Sequence, residues 1–296
     1  MKRILVTVCA ALLVAAALVM VGCTTQKETY TPPAKAAAVS DDALVQPGVL
    51  TIGVDTSQGK APLAGLAGSR VVGLDVDLAT WLCDEMGLKV DIVDVAGDVE
   101  SALTTGRVDI VLGLPADTAS AGIWKSNIYI PTGVALFATD PAAAVPADDS
   151  EPKIAAEAAK VSAWAVANEF GADALISGTD MGEVFEMLGN GSVDYAAADA
   201  LIGMYAAHTV HVDAYVVALM QEPTGYCVGV AAGNEELQQA IASAMLKLSN
   251  NGIFDKMVVT KWLGKSFTLD GVPYTQLAQE AIDSKTDPAA EGGEGA

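Results

Sequence analysis

The sequence predicts an α/β protein made of two strand–helix blocks, and three observations carry that prediction. Short apolar runs rich in β-branched residues alternate with helical stripes, which at this spacing implies parallel sheets covered by helices. A linker-like break, "PAAAVPADDSEP" (141–152), divides the alternation in two. A later strand and two helices (225–264) follow the second block and must rejoin the first.

In the first block, "VLTIGV" (49–54) reads as a strand. Leu74, Leu78, Leu82 and Met86 then form a helical stripe that stops at Gly87. "LKVDIVDV" (88–95) is a second strand. Asp98 caps a short helix ending at Gly106, and "VDIVLGL" (108–114) is a third strand. "NIYIPTGVALFATD" (127–140) reads as extended chain.

The second block is expected as strand "KVSAWAV" (160–166), a helix near 167–172, strand "DALIS" (173–177) and helix 181–191. Strand "VDYAAAD" (193–199), helix "ALIGMYAAH" (200–208) and the run "AYVVALM" (214–220) complete it. "GYCVGVA" (225–231) is a further strand. Asn234 caps a strong helix whose apolar face is Leu237, Ala240, Ile241, Ala244 and Leu248. "FDKMVVTKWLG" (254–264) is a last helix.

The N-terminus has the form of an export signal: Lys2 and Arg3, an apolar run from Ile4 to Val21, then Gly22-Cys23. The run is also long enough for a membrane span. The Gly-Cys step followed by polar chain favours cleavage after residue 22 and lipid on Cys23, since two or more acyl chains give stable anchoring. Residues 1–22 are therefore expected as a lipoprotein signal peptide and 23–44 as a tether. Residues 266–296 are expected as a C-terminal extension whose end, from 284, is a disordered tail.

The formal charge is −21, and loss of Lys2 and Arg3 with the leader makes it two units more negative. Such a surface repels nucleic acid and anionic lipid. It suits solubility outside the cell, and it would also draw in a cationic solute. Cys83 and Cys227 remain in the folded part. Export permits a disulfide between them, while their distant apolar settings suit two buried thiols. No CxxC or His cluster suggests a metal, no cofactor is expected, and His208 and His211 read as surface residues.

Four stretches in order carry a family resemblance. They are "VVGLDVDLATWLCDEMGLKVDIV", "ALTTGRVDIVLGL", "LGNGSVDYAAADA" and "GYCVGVAAGNEELQQAIASAMLKLSNNGIFDKMVVTKWLG". The chain resembles the bacterial extracellular solute-binding proteins of family 3, the polar amino-acid receptors of ABC importers. The resemblance implies a periplasmic-binding-protein-like type II fold, with two α/β lobes joined by two hinge crossovers. It places lobe 1 at 45–138 and 222–265 and lobe 2 at 139–221, with hinge strands near 133–138 and 221–226. It implies a monomer outside the cytoplasm, anchored by lipid, with a small-molecule solute and a membrane permease as partners.

Residue by residue, the family's cleft-facing acid matches Asp55, and its loop glycine matches Gly113. The aromatic pair that stacks on ligand is replaced by "APLAG" (61–65). Pro115 stands at the family's Thr and Ser120 at its carboxylate-binding Arg. In lobe 2, Val166 and Ala167 stand where a Gly-Thr turn is expected, Trp164 falls at a ligand-facing position, and Asp199 matches the acid that holds an ammonium. The expected ligand residues are thus Asp55, Gly113, Trp164 and Asp199.

Each has an ordinary reading beside this one. Asp55 suits a turn, Trp164 a core, and Asp199 the N-cap of the helix that follows it. Trp124 and Tyr129 could replace the missing aromatics or pack beneath the hinge, and Lys125 reads as solvated. With the anion grip missing and both carboxylates kept, the resemblance points to an amine or another atypical solute. A sensory or ligand-free lipoprotein with a degenerate pocket is the alternative. Catalysis, known for some dehydratases on this scaffold, is not expected, because no acid–base set is recognisable.

Overall fold

The computed structural model describes residues 35–57, 61–147, 150–252 and 254–286. The expected signal peptide, Cys23 and the last ten residues lie outside the described residues.

The first sheet is ordered β4-β1-β5-β13-β6, with β7 also pairing β13. Its strands are β1 (Val49–Val54), β4 (Lys89–Asp94), β5 (Ile110–Pro115), β6 (Ile123–Lys125), β7 (Ile130–Thr132) and β13 (Thr224–Ala231). β1 runs parallel to β4 and β5, and β13 runs antiparallel to β5, β6 and β7. Helix α1 (Leu74–Met86) buries Leu74, Leu78, Leu82 and Met86. Against it pack α6 (Glu235–Asn251), which Asn234 caps through the Leu237 N–H, and a π turn at Phe254–Val259 that runs into α7 (Thr260–Leu263). α2 (Val99–Thr104) is the short helix after Asp98. Together these elements form lobe one. A small hairpin, β2 (Gly65–Ala67) with β3 (Arg70–Val72), had no apolar period to announce it.

The second sheet is ordered β10-β9-β11-β8-β12. Its strands are β8 (Val134–Ala138), β9 (Ile154–Glu157), β10 (Leu175–Gly178), β11 (Tyr195–Asp199) and β12 (Tyr215–Leu219). β9 is parallel to β10 and β11, and β8 is antiparallel to β11 and β12. Helices α3 (Val161–Phe170), α4 (Met181–Gly189) and α5 (Ala200–Thr209) follow β9, β10 and β11. These form lobe two.

Several expectations are corrected here. "KVSAWAV" is helix, not strand: α3 buries Ser162, Ala163, Val166 and Phe170, a three-to-four residue period. The strand lies one step earlier, in "IAAE", where alanine conceals the β signal. β8, expected in lobe one, pairs within the second sheet, so the first passage between lobes falls at Gly133. The second passage is the stretch 220–223, between β12 and β13. Part of the expected tether is packed chain: Ala38 N donates to Met86 O at 2.9 Å, and Ser40 N and Oγ donate to the Glu236 carboxylate. Part of the expected C-terminal tail is helix, α8 (Gln276–Thr286).

The lobe-two core is built on small residues. Ala155, Ala156, Ala196, Ala197 and Ala198 are fully buried. Their size lets α5 approach the sheet, and Gly203 completes that contact. A Cβ on Gly203 would lie 2.5 Å from the Phe137 ring and 3.1 Å from Ala198 Cβ. Gly203→Val should therefore destabilise the protein by about 1–3 kcal/mol through overpacking, measured by urea unfolding; a change under about 0.5 kcal/mol, the scale of ordinary surface substitutions, would refute this packing.

Cys83 and Cys227 are both free and buried. Burial pushes the Cys83 thiol up to about 12 and that of Cys227 up to about 11. Both therefore stay protonated and unreactive at neutral pH. Among the described residues no helix is long and apolar enough to cross a membrane.

Candidate functional site

The parallel strands of lobe two end at one place. β9 ends at Glu157, β11 ends at Asp199, and the turn after β10 leads to Met181 and Gly182. All of these line a cavity of about 730 Å³. The carboxyl ends of parallel strands are the usual binding edge of an α/β sheet, and the volume suits a small molecule. Thr132, Gly133 and Gln221 from the two passages also line the cavity, and Ala61 and Thr224 face it from lobe one. One face of α5 runs along it through Ile202, Tyr205, Ala206 and Thr209, at helical spacing.

Asp199 is both cap and cavity wall. Its Oδ1 accepts from Leu201 N at 3.1 Å and Ile202 N at 3.0 Å. Burial raises its pKa above the usual carboxylate value, against the pull of the Thr132 hydroxyl and the two helix N–H groups. No lysine or arginine of the described residues forms an ion pair with it. The nearby Tyr226 phenol is pushed up first by burial, then by the charges of Asp199, Asp75 and Asp117. Three carboxylates therefore act together on the tyrosine at the junction of the lobes.

The start of α3 lies at another wall. Ala159 has a left-handed backbone (φ 59), and Lys160 is the N-cap residue without a side-chain cap bond. Lys160 Nζ lies 3.5 Å from Glu157 Oε1. Ser162 lines the cavity at 4% exposure, and its hydroxyl bonds to no other group among the described residues. The turn that precedes the lobe-two helix is thus 158–160, and Ser162 lies in its first helical turn. The expected placement at Val166 and Ala167 followed from the misread strand: Val166 is buried inside α3. By contrast, α4 is capped by Asp180, which accepts from Glu183 N, while Glu183 accepts from Thr179 N.

Of the four expected ligand residues, only Asp199 lines this cavity. Asp55 is 7% exposed at the end of β1, where Oδ1 accepts from Ser57 N at 2.9 Å and Ser57 Oγ at 2.6 Å, a local turn. Gly113 (φ 68) donates its N–H to Tyr129 Oη at 2.8 Å, inside lobe one. Trp164 lies outside the cavity and outside the core: it is 72% exposed, on the face of α3 opposite its buried stripe. Ser120 donates to Glu100 Oε1, and Lys125 is not free in solvent, because its ammonium donates to Ala116 O at 2.9 Å and to Thr118 O. Tyr129 packs on Phe254 rather than in the cavity.

Lys160, Ser162 and Tyr205 were missed. A correct strand assignment for 154–157 would have exposed the first two as the opening of a helix after a parallel strand. Tyr205 was legible as one of the helical face it shares with Ile202, Ala206 and Thr209.

The family model for bacterial extracellular solute-binding proteins, family 3, matches residues 50–265. Among solved structures, an ancestral cationic amino acid solute-binding protein is 22% identical, with 73% of this chain and 96% of that chain covered and a TM-score of 0.58. An L-cystine solute receptor of Neisseria gonorrhoeae, unliganded and open, is 19% identical over 80% of this chain and all of that one, TM-score 0.62. A polar amino acid ABC uptake transporter substrate-binding protein from Streptococcus thermophilus is 18% identical over 76% and 89%, TM-score 0.65. At these identities the likeness is one of fold. No curated protein sequence matches the chain.

Proposed function

Because the chain belongs to the bacterial extracellular solute-binding proteins, family 3, we propose that it is a lipid-anchored receptor that delivers a small cationic solute to an ABC importer. The observation that carries the solute class is Asp199, a half-buried carboxylate in the cavity wall that forms no ion pair among the described residues, the Lys160 ammonium being paired with Glu157. A primary or quaternary amine would supply the missing charge, and its binding would offset the desolvation of Asp199. The carboxylates acting on Tyr226 add to the same field.

Among the described residues no arginine lines the cavity to fork onto a free α-carboxylate. The start of α3, with Lys160 and the Ser162 hydroxyl, would accept a weaker acceptor group at the far end of the solute. This favours an amine with a neutral polar end over glutamate-like solutes. The test is a thermal-shift panel of amines, amino acids and neutral solutes, with hits measured by calorimetry. Amines giving the largest shifts support the reading. Tight binding of glutamate would overturn it, and no shift from any solute would favour a sensory or ligand-free role.

Anchoring rests on Val21-Gly22-Cys23. Mass spectrometry of the mature protein is expected to find diacylglycerol on Cys23 as the first residue, and Cys23→Ala is expected to leave the precursor uncut there. A mature wild-type protein recovered unlipidated from the medium would contradict this.

A further inference from the structure

We propose that residues 264–286 form a third passage between the lobes, which fixes the axis and range of cleft opening. This inference does not depend on which solute binds. It starts from a boundary: the family match ends at 265, yet the described chain continues and crosses back to lobe two.

The crossing is abrupt. Trp262 is tied to lobe one, its Nε1 donating to Asp77 Oδ2 of α1 at 2.7 Å, beside Lys261 Nζ at 2.6 Å. The Trp262 ring also lies 6.4 Å from that of Tyr205 in α5, and two residues later the chain turns fully onto lobe two. A Cβ on Gly264 would lie 2.4 Å from His208 Nδ1 of α5. Lys265 Nζ binds Asp213 and the Ala214 carbonyl, and lies 3.7 Å from the centre of the Tyr215 ring. Gly264, at φ 75, is the turning point between the two attachments.

The rest of the segment is docked, not trailing. Leu219 N donates to Pro273 O at 2.8 Å, and Thr275 N donates to Leu219 O at 2.9 Å, continuing the edge of β12. Glu169 of α3 accepts from Thr275 Oγ1 and Leu277 N, so lobe two holds the start of α8. Ala278 is 5% exposed, and Lys285 pairs with Glu222 of the second passage at 3.0 Å. Gln221 lines both the solute cavity and the groove under α8.

The mechanical consequence follows from geometry. The first two passages lie side by side, since a Cβ on Gly133 would sit 3.4 Å from Pro223 Cα. Two adjacent links act as one pivot and leave the rotation axis loosely defined. A third link at Gly264 adds a second pivot, so the lobes turn about the line joining the two. Rotation about any other axis must break the His208, Asp213 or Asp77 contacts.

The test uses the full chain with a donor–acceptor dye pair on noncanonical residues at Thr105 in lobe one and Asn190 in lobe two. Single-molecule energy transfer reads the spread of interlobe distances. Ala278→Glu with Lys265→Ser is expected to release the segment, seen as at least about tenfold faster hydrogen exchange at the Leu277 and Leu219 amides, and to broaden the transfer distribution. A second variant, ending the chain after Leu263, removes Gly264, Lys265 and the docked helix without a buried charge and is expected to broaden it as well. An unchanged distribution in a folded variant whose segment is released overturns the proposal.

Discussion

Gly113→Val is expected to be among the most damaging single substitutions in lobe one. The residue has φ 68, which a β-branched side chain resists, and an added Cβ would lie 2.8 Å from Asp75 Oδ2. Asp75 is 1% exposed and accepts from Tyr129 Oη at 2.6 Å, while Gly113 N donates to that same oxygen. Burial, then the Asp75 charge, pushes the Tyr129 pKa well up, so the phenol remains a donor across the working pH range. Backbone strain of about 1–3 kcal/mol adds to about 1–3 kcal/mol for overpacking against the Asp75 carboxylate. Tyr129→Phe keeps the ring against Phe254 and should cost about 1–3 kcal/mol, the penalty for unpaired buried polar groups. Urea denaturation of both variants checks the order; a Gly113→Val loss smaller than that of Tyr129→Phe would contradict it.

Asp199→Asn is expected to separate folding from binding. An asparagine oxygen still caps α5, so the helix start is kept. The folded-state pKa of Asp199 is raised. The native state therefore holds its proton more tightly than the unfolded chain, and stability falls as pH rises from the unfolded value through the folded one. The amide removes this loss, so the variant should be at least as stable as the wild type at neutral pH, with a flatter stability profile. Binding of a cationic solute should weaken about 10- to 100-fold, the scale of one charge-assisted hydrogen bond. A variant that unfolds easily at pH 7 would show that the carboxylate serves the fold alone.

The legible part of this protein was its long-period pattern. The stripe of Leu74, Leu78, Leu82 and Met86 and the cap at Asn234 lie where their spacing put them. Lobe two was harder because its strands "IAAE" and "YAAAD" are alanine-rich, and alanine carries little β preference. Reading 160–166 as a strand then shifted the start of the lobe-two helix along the chain and aimed Trp164 at a cavity it does not line. Gly113 and Asp55 show a second limit: both occupy positions that resemble ligand contacts, while their hydrogen bonds serve lobe one itself. The C-terminal segment gave no warning of docking, because its anchor, Glu169, lies in another helix more than a hundred positions away.

The central claim is that a solute cation is paired with Asp199. Calorimetric titration of the best amine from the panel, repeated across pH and in buffers of different ionisation enthalpy, measures this directly. Affinity should rise as pH passes the raised Asp199 pKa, with a proton released on binding at the lower pH values, and Asp199→Asn should remove both effects. Binding that is independent of pH and equally tight in Asp199→Asn would contradict the account.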